Sequence, residues 1–164
     1  MKRVLRYDWI GLYSDASLWG FGFVLNSRWY SFGSWDSIRD FAVPLISQNS
    51  NINELEMLTV LLMVATFRDK LQNKTIIMEC DNKVAVDALN NQSCSTPHLR
   101  AYSRVLHLMA ADLNCACKLV HVSGVKNVIA DELSRNKIPN VLQTGQKVPL
   151  EKEYLLRWWS RSES

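Results

Sequence analysis

The stretch GLYSDASLWGFGFVL, Gly11 to Leu25, reads as two short apolar runs folded against each other, with a lone carboxylate, Asp15, closing the first. A second acid, Asp81, follows the apolar run TIIMEC, and two more, Glu56 and Asp131, fall in stretches of helical pattern. If the runs ending at Asp15 and Asp81 are parallel neighbours, their carboxyl ends lie side by side, where open α/β sheets bind ligands. Each acid also has a purely structural reading. Asp15 can open a turn by bonding its own backbone, Asp81 can cap the helix that follows it, and Glu56 and Asp131 can answer helix dipoles.

The elements that must position these acids follow from apolar period and punctuation. Strands are expected at Ile10–Ala16, Phe21–Leu25 and Arg28–Ser34, the first two joined through Leu18-Trp19-Gly20. A polar, turn-rich segment runs from Trp35 to Asn51. The stretch Ile52 to Lys70 has helical length and is apolar on most faces, as befits a helix buried between a sheet and other helices. Then come a strand Thr75–Cys80, a helix Asn82–Asn91, a loop QSCST, a helix from Pro97 to about Asn114, a strand Cys117–Val122 and a short helix Val128–Asn136. Pro97 suits a first helical turn. Hairpin-like strands followed by alternating strands and helices predict an α/β domain whose sheet is antiparallel on one side and parallel on the other. Beyond residue 137 the character changes: Pro139, Gly145 and Pro149 make a connector before EKEYLLRWWSR, an expected amphipathic helix that docks its aromatics on the body. The division is therefore 1–137 for the main domain and 138–164 for connector and helix.

Composition narrows the class. With 164 residues, 48% hydrophobic and 21% charged, the chain can build one well-cored domain and lacks the bias of a disordered one. A net charge of +3, with a small cluster at Lys2, Arg3 and Arg6, permits nucleic acid without announcing it. Cys80, Cys94, Cys115 and Cys117 show no repeated Cys-x-x-Cys spacing, so reduced thiols are expected rather than a zinc site or a disulfide framework. The longest apolar run, Met57 to Phe67, is too short to span a bilayer. The expectation is an intracellular protein with no membrane partner, cytoplasm and nucleus being equally open.

The order Asp, Glu, Asp, Asp in these element positions, within the words YSDASLWGFGFVL, INELEMLTVLL, MECDNKVAVDALN and HVSGVKNVIADELSR, resembles the ribonuclease H domains of retroelement reverse transcriptases. WYSFGSW followed by INELE and the ending VSGVKNVIADELSR are most similar to retrotransposons that integrate through a tyrosine recombinase (DIRS-type), with gypsy-type elements next. The resemblance implies a ribonuclease H-like fold: a five-stranded mixed sheet, order 3-2-1-4-5, flanked by helices. It implies two Mg2+ ions, with Mn2+ able to substitute, held by Asp15, Glu56, Asp81 and Asp131 as the catalytic set. The reaction would be hydrolysis of the RNA strand of an RNA/DNA hybrid, beside a reverse transcriptase domain of the same polyprotein. Ser17 and Asn82, each next to an aspartate, would contact the nucleic acid. NELEML offers both Glu54 and Glu56; about 200° apart on a helix, they cannot share one site. The family pattern, an acid three residues before a small one, selects Glu56, with Thr59 following it.

Two departures stand out. Cellular members carry a histidine in the loop before the last acid, whereas that loop here reads SGVKNVIA. His121 falls in a strand, and His98 and His107 fall on a helix. The basic helix and loop that grips hybrid in cellular enzymes is also missing. The competing function is a noncatalytic ribonuclease H-like connector, or nucleic-acid-binding module, derived from a retroelement; such connectors typically lose the acids that persist here. A DNA nuclease of the same fold is a third reading, opposed by ADELSR and the strand order.

Overall fold

The computed structural model describes residues 8–39, 51–91 and 97–162. The Lys2, Arg3 and Arg6 cluster, residues 40–50 of the turn-rich segment, and the 92–96 loop with Cys94 lie outside the described residues. The strands are β1 (Asp8–Ala16), β2 (Gly20–Leu25), β3 (Trp29–Ser34), β4 (Thr75–Cys80), β5 (Ala116–His121) and β6 (Gln146–Lys147). The helices are α1 (Ile52–Thr66), α2 (Arg68–Leu71), α3 (Lys83–Asn90), α4 (Pro97–Asp112), α5 (Val128–Ser134) and α6 (Lys152–Ser162).

The sheet order is β5-β4-β1-β2-β3-β6. Strands β1 to β3 pair antiparallel, while β4 pairs parallel with β1 and β5 parallel with β4. This is the expected mixed five-strand sheet, flanked by helices. A two-residue strand from the connector adds to it: β6 lies parallel to β3, with Trp29 opposite Gln146 and Tyr30 opposite Lys147. So short a strand leaves no periodic signal in the sequence. β1 begins two residues earlier than expected, and Gly11, at φ +62°, takes a conformation that side chains disfavour where the β1–β4 register shifts.

Alternation splits the sheet's side chains between two layers. Leu12, Phe21, Phe23, Leu25, Ile76 and Met78 enter the main core with α1, α3, α4 and α6. Val24 and Tyr30 face a smaller cluster with Leu133 of α5 and Leu142. Helix α1 is buried at every position from Leu55 to Thr66, which explains its lack of a polar stripe. It starts where Asn51 Oδ1 accepts the Glu54 N–H at 3.1 Å. The expected single helix to Lys70 is interrupted at Phe67, where φ −95° and ψ 12° leave the helical range. Phe67 instead sets its ring edge-on against Phe23, centroids 5.4 Å apart.

The C-terminal stretch packs on the same core. Tyr154, Leu155 and Trp159 are buried, the Trp159 ring meets Tyr102 of α4 at 5.2 Å, and the Tyr154 hydroxyl donates to Asp112 at 2.7 Å.

Gly22 fixes the distance between α5 and the sheet. A Cβ there would fall 2.4 Å from Leu133 Cβ and 2.7 Å from Ser134 N, inside any real contact. Gly22 also lies opposite Asp15 across the β1–β2 ladder. Gly22→Ala should therefore push α5 off the sheet and cost about 1–3 kcal/mol of stability, the usual range for overpacking; urea unfolding measures it, and an unchanged midpoint would mean that α5 is not seated so closely.

Candidate metal centre

Four elements bring the acids to one place. β1 and β4 run parallel, Ser14 opposite Cys80, so Asp15 and Asp81 emerge at adjoining carboxyl ends. α1 crosses beneath and carries Glu56, while α5 covers the other face and carries Asp131. Asn127 pins the entry to α5: its Nδ2 donates to the Ser14 carbonyl at 2.9 Å, and the residue is buried.

Asp15 and Glu56 are each 3% exposed. The Asp15 carboxyl lies within hydrogen-bond reach of both Asp81 and Asp131. Glu56 lies beside Asp81, and the Cys80 thiol donates to Glu56 Oε2 at 3.6 Å. The ligand atoms of Glu56, Cys80 and Asp81 lie within 4.8 Å of one another. The Ser134 hydroxyl is 3.1 Å from Asp15 Oδ2 and 2.7 Å from the Asp131 carbonyl. Having one proton, it serves one acceptor at a time. The Asp131 side chain, 43% exposed, faces solvent and accepts from Arg135 Nε at 3.3 Å.

Among the described residues, no lysine or arginine pairs with Asp15, Glu56 or Asp81. Crowded acids without cations hold their protons. Burial, then the charges of Glu56 and Asp81, pushes the Asp15 carboxyl up to about 9. Burial, then the charge of Asp81, pushes Glu56 up to about 8. The Cys80 thiol is also pushed up, by burial and by Glu56, and remains a proton donor. The donor set fits a hard divalent cation: several converging carboxylate oxygens, of which those of Asp15, Glu56 and Asp81 have no cationic partner among the described residues.

Glu54, two residues from Glu56, points elsewhere; its charge acts on Tyr102 of α4. Ser17 and Asn82 flank the acids but spend polar atoms on the protein. Ser17 Oγ closes the β1–β2 turn, and Asn82 caps α3 through the Ala85 N–H at 2.8 Å while donating to Asn53 at 2.9 Å. His121 ends β5 with Nε2 3.1 Å from the Asp81 carbonyl oxygen. Sequence reasoning missed Ser134 and Cys80 as groups touching the acids. The available signals were spacing, Ser134 lying three residues after Asp131 on one helix face, and adjacency, Cys80 preceding Asp81.

An α/β sheet of this order with acids converging at the ends of its first and fourth strands defines a ribonuclease H-like domain. Residues 45–137, more than half of the chain, match a family model described as reverse transcriptase-like, and the chain belongs to that family. The matched span contains Glu56, Asp81 and Asp131; Asp15 precedes it. No curated protein matches the chain. The family and the acid cluster support a nuclease-type hydrolase or nucleic-acid-binding module with a possible metal site. Among the described residues, no helix is long and apolar enough to cross a membrane.

The raised carboxyls make stability pH-dependent. Against ordinary values of 3.8 and 4.5, folded Asp15 and Glu56 keep protons that the unfolded chain has released. Their contribution is thus fully present below about pH 4 and is lost as pH rises through 8 to 9. In chelator, the melting temperature should fall between pH 5 and pH 9, and Asp15→Asn should flatten the fall; a melting temperature rising over that range would contradict the geometry.

Proposed function

We propose that the chain is a metal-dependent endonuclease that hydrolyses the RNA strand of RNA/DNA hybrids during reverse transcription. The observation that carries this reading is the convergence of four carboxylates, two of them buried, with no basic side chain among the described residues to balance Asp15, Glu56 or Asp81. Asp15, Glu56, Asp81 and Asp131 would hold two Mg2+ ions, with Mn2+ able to substitute. When bound, such ions supply positive charge that activates water and stabilises the attacked phosphate and the departing oxygen.

The chain's own contribution is orientation and proton bookkeeping. Asp15 lies within hydrogen-bond reach of both Asp81 and Asp131, which puts it at the centre of the cluster. Ser134 fixes the rotation of Asp15 from the α5 side, and the Cys80 thiol fixes Glu56 from below. Ligation requires carboxylates, so protons retained by Asp15 and Glu56 leave as the site loads. Preference for RNA would come from 2′-hydroxyls and groove shape rather than from base reading; Ser17 and Asn82 stand at the rim. We assign residues 1–137 to the nuclease unit and 138–164 to a connector and terminal helix. Its source would be a DIRS-type or, next, a gypsy-type element, with a reverse transcriptase domain adjoining.

One feature favours the second reading, a noncatalytic module: the loop before α5 offers no histidine. With that histidine and the basic helix and loop of cellular enzymes both missing from the sequence, activity of the isolated domain should be weak and salt-sensitive unless a reverse transcriptase domain presents the hybrid. Labelled hybrid, RNA duplex and DNA duplex, each with Mg2+, Mn2+ or chelator, separate the readings. Metal-dependent cleavage of the hybrid's RNA strand is expected, lost by at least about 100-fold in Asp81→Asn and Glu56→Gln and little changed in Glu54→Gln. Such a loss is of the size that removing a group acting in the transition state produces. Retained cleavage in Asp81→Asn would overturn the assignment, and intact hybrid binding without any cleavage would favour the noncatalytic module.

A further inference from the structure

Away from the acids, two cysteines meet where α4 passes into β5. Cys115, just before β5, and Cys117, within it, stand two residues apart and so share one face of the extended chain, the face turned to the main core. Their sulfurs lie 3.3 Å apart, and both are free thiols. The junction itself enforces this approach. Asn114, at φ +49°, closes the end of α4, and the N–H groups of Asn114 and Cys115 return to the Ala111 and Ala110 carbonyls at 3.2 and 2.9 Å, a Schellman arrangement. The neighbouring turn holds it from the side. Asn73 N–H donates to the Leu113 carbonyl at 2.9 Å, Asn114 Nδ2 to Asn73 Oδ1 at 2.9 Å, and Ala116 N–H to the Lys74 carbonyl at 3.0 Å. Cys117 is then fixed opposite Ile76 of β4.

A buried cysteine by itself is an ordinary small core residue. This pair differs because its two members are unlike. Cys117 donates its S–H to Cys115, which pulls the Cys115 thiol down; burial opposes the shift and the charge of Lys74 assists it. Cys117 is pushed up by the same bond and by burial, and keeps its proton. A thiolate supported by a lysine is the nucleophilic form of cysteine. Access suits a small reagent only. β5 is an edge strand of the sheet among the described residues, Cys117 is half-buried, and Cys115 retains 7% exposure.

We propose that Cys115 and Cys117 form a reversible dithiol–disulfide site oxidised by hydrogen peroxide, Cys115 reacting first and Cys117 resolving the product. In the first step the Cys115 sulfur attacks one peroxide oxygen: an S–O bond forms, the O–O bond breaks, and hydroxide leaves and takes up a proton to become water. Cys115 is then a sulfenic acid. The Cys117 sulfur attacks it, an S–S bond forms as the S–O bond breaks, and the departing oxygen takes the Cys117 proton as a second water. Two electrons have passed from the two thiols to one peroxide. The bridge closes a loop of only three residues, Cys115-Ala116-Cys117. Strained disulfides are the readily reduced ones, so a monothiol such as glutathione returns both thiols. The acids are untouched, because the residue of β5 that meets Asp81 is His121, at the strand's far end. The inference is therefore independent of the nuclease reading.

The test uses the full chain, unsubstituted and as Cys94→Ser, the second so that the thiol outside the described residues has no part in pairing. Each is reduced, treated with hydrogen peroxide while folded, blocked with N-ethylmaleimide and mapped by peptide mass. Loss of two hydrogens within the peptide carrying residues 115–117, reversed by reduced glutathione, is expected. In urea the reaction should slow by at least about tenfold, because the unfolded chain loses both the Cys117 donor and Lys74. Single substitutions read the roles. Cys117→Ser, whose hydroxyl still donates, should stop at a Cys115 sulfenic acid captured by dimedone, whereas Cys115→Ser should give no dimedone adduct at Cys117. A folded chain that forms no 115–117 bridge, a rate unchanged in urea, or a dimedone adduct at Cys117 instead of Cys115 would each overturn the proposal. A metal ion retained by the reduced chain, with both thiols masked from N-ethylmaleimide, would assign the pair to a soft metal and also overturn it.

Discussion

Mutual repulsion among four carboxylates is the constraint around which this structure is built. Two acids are almost wholly removed from water and a third touches them, with no lysine or arginine among the described residues to neutralise these three. Unpaired buried charge is among the most expensive arrangements a fold can contain. The chain tolerates it by keeping protons on Asp15 and Glu56 and by holding the acids from several directions at once. A divalent cation is the ligand that would relieve this tension, which makes the cluster intelligible as a site rather than as a defect.

Rigidity elsewhere follows from that constraint. Acids that repel each other stay together only if their carriers cannot separate. α1 is buried around its whole circumference, so Glu56 cannot withdraw. α5 is fixed by Gly22 beneath it, by Asn127 at its start and by Ser134 at its end. The parallel pairing of β1 with β4 holds Asp15 and Asp81 at one sheet end. α6 and the small β6 brace the same core from the connector, Trp159 against Tyr102 and Gln146 beside Trp29.

Much of the fold was legible because its signals are local and periodic. The apolar runs around β1, β2 and β4, and the unbroken apolar character of α1, correspond directly to strands and to a central helix. The break at Phe67 was not legible: the backbone leaves the helical range there and the ring packs on Phe23, a tertiary contact that no propensity encodes. Nor was β6, whose two residues pair only because the connector runs beside β3. For the site, the meeting of Asp15 and Asp81 was legible from their placement at the ends of strands, whereas Glu56 and Asp131 lie on helices and entered only through the family resemblance. The choice between Glu54 and Glu56 needed the helix phase, which α1, apolar all round, does not display. Cys80 and Ser134 were hidden because a thiol or hydroxyl becomes informative only once its neighbour is known.

The central claim is that the acids exist to hold divalent cations. Diffraction from crystals of the full chain soaked in Mn2+, recorded at the manganese absorption edge, tests it most directly. The account predicts anomalous peaks among Asp15, Glu56, Asp81 and Asp131, and their loss in Asp15→Asn crystals. Crystals at saturating Mn2+ with no peak between these four side chains would contradict it.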